Sequence, residues 1–163
     1  MQARRIVLPV WMVLIGPASA LAATPTAVVF PFAFIDTSPE PPRADELARL
    51  HDAGEELRRL LDQSQRSVVI ATASVEAKAI GTDFVNCQPC AIAAAKDLGA
   101  DVAVIGWVQK VSNLILNINA VIRSTTTGDI VSAGSVDIRG NTDESWTRGV
   151  RYLAANRLLA SPR

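Results

Sequence analysis

Two consecutive stretches, Leu114–Ser124 and Ile130–Arg139, alternate apolar and polar residues with period two, and a Thr125-Thr126-Thr127-Gly128-Asp129 turn joins them. Period two is the repeat of a strand with one buried and one wetter face, so this segment predicts a β-hairpin and excludes an all-helical fold. In the first strand Leu114, Leu116, Ile118, Ala120 and Ile122 share a face. Ile115, Asn117, Asn119, Val121 and Arg123 share the other. Ile130, Ser132, Gly134, Val136 and Ile138 oppose Val131, Ala133, Ser135, Asp137 and Arg139 in the second. Val102–Val111 is a third β-rich run just upstream, so 102–139 reads as an antiparallel meander.

Helical periodicity surrounds it. From about Asp45 to Gln65, Leu47, Leu50, Gly54, Leu57 and Leu61 recur at spacings of three and four, which predicts an amphipathic helix. Pro89 to Leu98 has proline at the favoured start and Gly99 at the favoured stop. A third helix is expected after Gly140, with Asn141 and Glu144 as its capping box, Trp146, Val150, Leu153 and Ala154 inward, and an end near Leu159. Ala27–Ile35 and Ser67–Thr72 are rich in β-formers, and Pro31 places an edge or a bulge in the first of them. The proline-rich 36–43 is a loop, and Ala73 to Asn86 reads as a helical turn followed by a loop. The predicted class is α+β, in the order β-α-β-α-β-β-β-α, with a mixed five-stranded sheet and three helices packed mainly on one face.

The front of the chain is of another kind. Arg4 and Arg5 precede the apolar run Ile6–Ile15, and small residues follow to Ala20, Ala22 and Ala23. The run is shorter than the roughly 20 residues that span a bilayer, so 1–23 is expected to be a cleaved secretory signal peptide and 24–163 a single periplasmic domain. No cysteine stands at the cleavage sites to accept a lipid. Loss of Arg4 and Arg5 from 16 basic and 16 acidic residues leaves 14 against 16, a charge of about −2 that disfavours nucleic acid as a partner.

Export gives Cys87 and Cys90, the only two cysteines, an oxidising setting. Cys87-Gln88-Pro89-Cys90 at a helix start suits either a local structural disulfide or a thiol–disulfide redox pair. No proline lies between Pro89 and Pro162 to serve as the facing cis-proline loop of a thioredoxin-like enzyme, which favours the structural bond. Two cysteines and a single histidine, His51, fall short of a zinc site, and His51 flanks the apolar stripe as a boundary residue. There is no Gly-x-Ser-x-Gly elbow and no phosphate-cradling glycine loop, so no catalytic residue, metal or cofactor is assigned. Trp107, Trp146 and Tyr152 are expected in the core.

The remaining chemistry is polar. Gln109, Lys110, Asn113, Asn117, Asn119, Asp137, Arg139, Asn141 and Asp143 cluster in the meander and just beyond it. If the hairpin pairs through its Thr-rich turn, Asn117 and Asn119 come near Asp137 and Arg139, with Asn113 and Asn141 at one end. Such a groove of amides beside an Asp–Arg pair can hold a peptide or a small polar molecule. The same residues also suit a solvated sheet face and helix caps.

An early strand ending in Phe30-Pro31-Phe32, a helix, a strand, a short helix and then Leu98-Gly99-Ala100-Asp101-Val102-Ala103-Val104-Ile105-Gly106 resembles the group formed by the amino-terminal domain of TolB, CsgG and LpoB. Thr127-Gly128-Asp129 stands where that group has a Thr-Gly-like hairpin turn. The segments 106–113 and 136–143 are similar to a family of small exported bacterial proteins of unknown function, associated with quinoprotein alcohol oxidation systems. What the resemblance implies is a periplasmic, non-catalytic binding or assembly accessory with an envelope protein as partner. The alternative is a thiol–disulfide redox protein that uses Cys87 and Cys90.

Overall fold

Pro31 divides the first strand. In the computed structural model, which describes residues 23–41, 43–79 and 81–160, β1 (Thr26–Val29) and β2 (Ala33–Asp36) both lie parallel to the same partner, β4 (Val102–Lys110). Val29 is level with Val104 and Ala33 with Trp107, so four steps on one strand face three on the other: a bulge with its extra residue at the proline. Gly106 makes room for this bulge, because a Cβ there would stand 2.1 Å from Phe32 Cε1.

Between these elements run α1 (Ala44–Gln63), the two-residue β3 (Val68–Val69), α2 (Thr72–Ala79) and α3 (Gln88–Asp97). After β4 come β5 (Ile115–Ser124), β6 (Ile130–Arg139) and α4 (Asp143–Leu153), which ends in a wider π-helical turn, Ala154–Leu158. The sheet order is β3-β1-β4-β5-β6, with β2 beside β4 beyond the end of β1. β1, β2 and β3 are parallel to their neighbours, and β4-β5-β6 is the antiparallel meander that the alternation predicts. The fold is α+β with a mixed sheet, as the sequence implies. It carries one more strand, from the break at Pro31, and one more helix, Thr72–Ala79.

The two sheet faces bury different cores. Leu57 and Leu61 of α1 and Trp146, Val150 and Leu153 of α4 pack on Val104, Val108, Leu116, Ile118 and Ile138. Gly149 lets α4 settle onto the sheet, where a Cβ would meet Ile138 Cγ2 at 2.6 Å. On the opposite face Ala91 and Ala95 of α3, with Val75 and Phe84, cover Val28, Phe30, Ala103, Ile105 and Val121. The Phe30 and Phe84 rings lie 4.2 Å apart. Helices thus pack on both faces, although the second layer of small alanines covers only part of its side. Among the described residues no helix is long and apolar enough to cross a membrane. The expected signal peptide lies outside the described residues but for its last position.

Three local expectations change. Leu47 is 66% exposed, and Glu46 takes its place on the buried stripe of α1. Tyr152 is about half exposed on α4, whereas Trp146 is buried and Trp107 half-buried. The N-cap of α4 is Thr142, whose hydroxyl accepts from the Ser145 N–H at 3.2 Å, while Asn141 turns inward.

Candidate functional site

The buried core of the α2–α3 layer ends at Ile105 and Val121, with Trp107 packed half-buried against its margin, so the sheet face beyond is open among the described residues. Strand alternation puts Trp107 and Gln109 of β4, Asn117 and Asn119 of β5, and Ser135, Asp137 and Arg139 of β6 on this open side. Trp107 is level with Asn119, Gln109 with Asn117, and Asn117 with Asp137. The Asn117 amide donates to Asp137 Oδ1 at 2.7 Å and to Ser135 Oγ at 2.8 Å. The Ser135 hydroxyl donates back to Asn117 Oδ1 at 3.0 Å, and Asn119 donates to the Asn117 carbonyl at 3.4 Å. The result is a fixed row of amides and a carboxylate beside an indole, with Ser135, Asp137 and Arg139 exposed. Such a surface carries hydrogen-bonding groups for a polar chain and one flat ring to stack on.

Four of the nine candidates lie elsewhere. Lys110 points to the opposite face, fully buried, with its ammonium 2.7 Å from Glu46 Oε1 and 3.6 Å from Asp36 Oδ2. The contact with Glu46 is an ion pair rather than an aligned hydrogen bond. Glu46 Oε1 also accepts from the Asn141 amide at 2.6 Å, and its Oε2 from the Arg43 N–H at 2.9 Å. Asn141 Oδ1 receives the Trp146 indole N–H at 2.9 Å and the Arg49 guanidinium at 3.2 Å. Arg49 continues to Asp143 at 2.6 Å and to Asp45 at 2.7 Å. Asn113, half-buried, stands 3.5 Å from Asn141.

This second cluster is a network of ion pairs and hydrogen bonds that ties the end of β4 to the first turns of α1 and α4. Burial works to raise the Glu46 carboxyl, but Lys110, the Arg43 N–H and Asn141 outweigh it and hold it below the ordinary carboxylate range. Burial likewise works to lower the Lys110 ammonium, and Glu46 and Asp36 reverse that into a rise. Both groups are therefore charged at neutral pH, and neither is free to exchange a proton with a substrate. Sequence reading missed Glu46, Arg49 and Asp36. The available signal was the spacing of three and four counted back from Leu57, which reaches Glu46 as well as Leu47.

Cys87 and Cys90 form a disulfide across the first turn of α3, with their Cα atoms 5.2 Å apart. Cys87 is half-buried and Cys90 exposed. His51 is exposed and faces Asp52 at 3.4 Å. Among the described residues no three histidine, cysteine, aspartate or glutamate side chains are grouped to hold a metal.

Known structures share this arrangement at low identity. The LpoB C-terminal domain from Salmonella enterica has a TM-score of 0.54 and 16% identity, covering 75% of this chain and 87% of its own. The PelC dodecamer from Paraburkholderia phytofirmans gives 0.53 and 14%, covering 80% and 86%. Lipoprotein GNA1162 from Neisseria meningitidis gives 0.51 and 16%, covering 73% and 83%. At such identities the likeness is one of fold, the LpoB-type fold that the sequence resembles. No curated protein matches the chain. A family model described as "Protein of unknown function (DUF2380)" matches residues 25–158, and the chain belongs to that family, DUF3280.

Proposed function

We propose that this protein is a non-catalytic accessory of the bacterial envelope that binds a protein partner through the open sheet face. One observation carries the reading. Gln109, Asn117, Asn119, Ser135 and Asp137 share the side of the sheet beyond the α2–α3 layer, with Trp107 half-buried at its margin, and hydrogen bonds among Asn117, Asn119, Ser135 and Asp137 order it. A preordered surface loses little entropy on binding, and an aromatic residue among polar ones is the usual make-up of a recognition patch. The buried Lys110 and Glu46 pair with each other on the opposite side of the sheet and do not face that surface.

Export by residues 1–23 to the periplasm, with 24–163 as the mature domain, is part of the proposal. So is a partner within a quinoprotein alcohol oxidation system, as the resemblance of 106–113 and 136–143 implies. Site-specific photo-crosslinking tests it. A crosslinker at Gln109 or Asp137 should give a discrete adduct in cells, and one at Arg59, on the helical side, should not. Equal adducts from both sides, or none from the sheet, would overturn the assignment.

A second reading, thiol–disulfide exchange, is favoured by the exposure of Cys90 in the first turn of α3. The reduction potential separates the two: a structural bond lies below about −300 mV, whereas an oxidant lies far above it.

A further inference from the structure

β6 ends the sheet, and its outer edge has no strand beside it among the described residues. The Gly140 N–H donates to the Leu114 carbonyl at 3.1 Å, which fixes the parity of the strand. Ile138, Val136, Gly134 and Ser132 turn their main chain toward β5, and Arg139, Asp137, Ser135 and Ala133 turn theirs outward, as far as the bulge at Val131. Natural edges are normally blunted by proline, lysine or a mid-strand bulge. From Ile130 to Arg139 there is neither proline nor lysine, and the only register shift lies at the very start. Ile130 and Val131 are 55% and 60% exposed there, and the half-exposed Tyr152 of α4 lines a groove of about 320 Å³ with Val136–Arg139.

The charges on this edge are self-complementary. Asp129 stands just before β6 and Arg139 at its end. We infer that β6 pairs antiparallel with β6 of a second copy of this chain about a two-fold axis at Gly134, which joins two sheets into one. That register sets Ala133 against Ser135, both from the outward set, brings Asp137 level with the bulge at Val131, and carries Arg139 of each copy to the Asp129 end of the other. A slide of two residues one way carries Asp137 to the Asp129 end of the other copy, and two residues the other way leaves Asp129 without its arginine. Like charges placed opposite destabilise a strand pair, so the charges select the register. The contact is isologous, as a closed dimer requires, and it does not depend on the open face having a partner.

Sedimentation equilibrium of the exported, purified chain tests this. The wild type should be dimeric. Ala133→Pro removes only an outward N–H and should be monomeric with an unchanged circular dichroism spectrum. Asp129→Arg and Arg139→Asp each turn both ion pairs into repulsions, and each should weaken the dimer about tenfold. An equimolar mixture of those two variants should recover wild-type association, because each chain then carries what the other lacks. A wild type that stays monomeric at every concentration would overturn the inference. So would a dimer that resists both charge reversals, or a mixture that fails to associate, whether or not Ala133→Pro folds.

Discussion

The Lys110 ammonium and the Glu46 carboxylate meet at 2.7 Å with 1% exposure or less on either side chain, at the point where β4 ends and α1 begins. A buried pair of this kind adds little over an apolar pair of the same volume, yet it is severe to break, because the surviving charge has no solvent. Lys110→Met or Glu46→Leu alone should therefore cost about 3 kcal/mol or more. The double variant should regain most of that loss. Urea unfolding reads all three, and additive losses would show that the two groups are not coupled.

How much of this was legible in the sequence follows from the same pair. The hairpin could be read because alternation over ten residues has only one solution, and β6 spans Ile130–Arg139 as predicted. The network could not, because spacings of three and four from Leu57 reach Leu47 and Glu46 equally well, and only the buried Lys110 opposite decides for the glutamate. Asn141 and Thr142 are both good caps. The Trp146 indole and Glu46 claim Asn141, so Thr142 takes the cap. On the open face the strand register could be inferred, but which part of the sheet α2 and α3 cover could not, since that rests on contacts between residues far apart in sequence.

Acid should weaken the fold in a defined window. Glu56 is lowered to about 2, first by Arg59 and then, against the opposing effect of burial, by Arg151. Arg43 leads the lowering of Asp45 to about 2. Glu46 is lowered as well. A carboxyl held lower in the folded state than in the unfolded one contributes stability above its unfolded value, and that contribution is lost as pH falls toward the folded value. Melting temperature should thus decline from about pH 4.5 down to about pH 2. Lys110, raised in the folded state, adds stability that is lost only as pH climbs above the ordinary lysine range. Glu56→Gln should flatten part of the acid decline, and an unchanged curve would mean that the Arg59 and Arg151 contacts do not persist in solution.

Gly106→Ala brings a methyl to within 2.1 Å of the Phe32 ring, at the bulge that lets β2 follow β1 along β4. Phe32 is buried and cannot swing into water, so overpacking should cost about 2 kcal/mol. Pairing the change with Phe32→Leu should recover part of it. If Gly106→Ala alone were neutral in chemical denaturation, the ring would not be packed as described.

The disulfide closes a very short loop, for which the chain-entropy relation gives about 2 kcal/mol. Cys87→Ser with Cys90→Ser should therefore lower stability by about that amount and leave crosslinking from Gln109 and Asp137 unchanged. The bond pins the start of α3, whose Ala91 and Ala95 pack under Ala103 and Ile105, while the open face begins beyond those residues. Local fraying of α3 would reach Arg123, which donates to Gln88 at 2.6 Å, before it reached Asn117. Loss of the sheet adduct in the double variant, with the fold intact by circular dichroism, would mean that the cysteines take part in binding and would return weight to the redox reading.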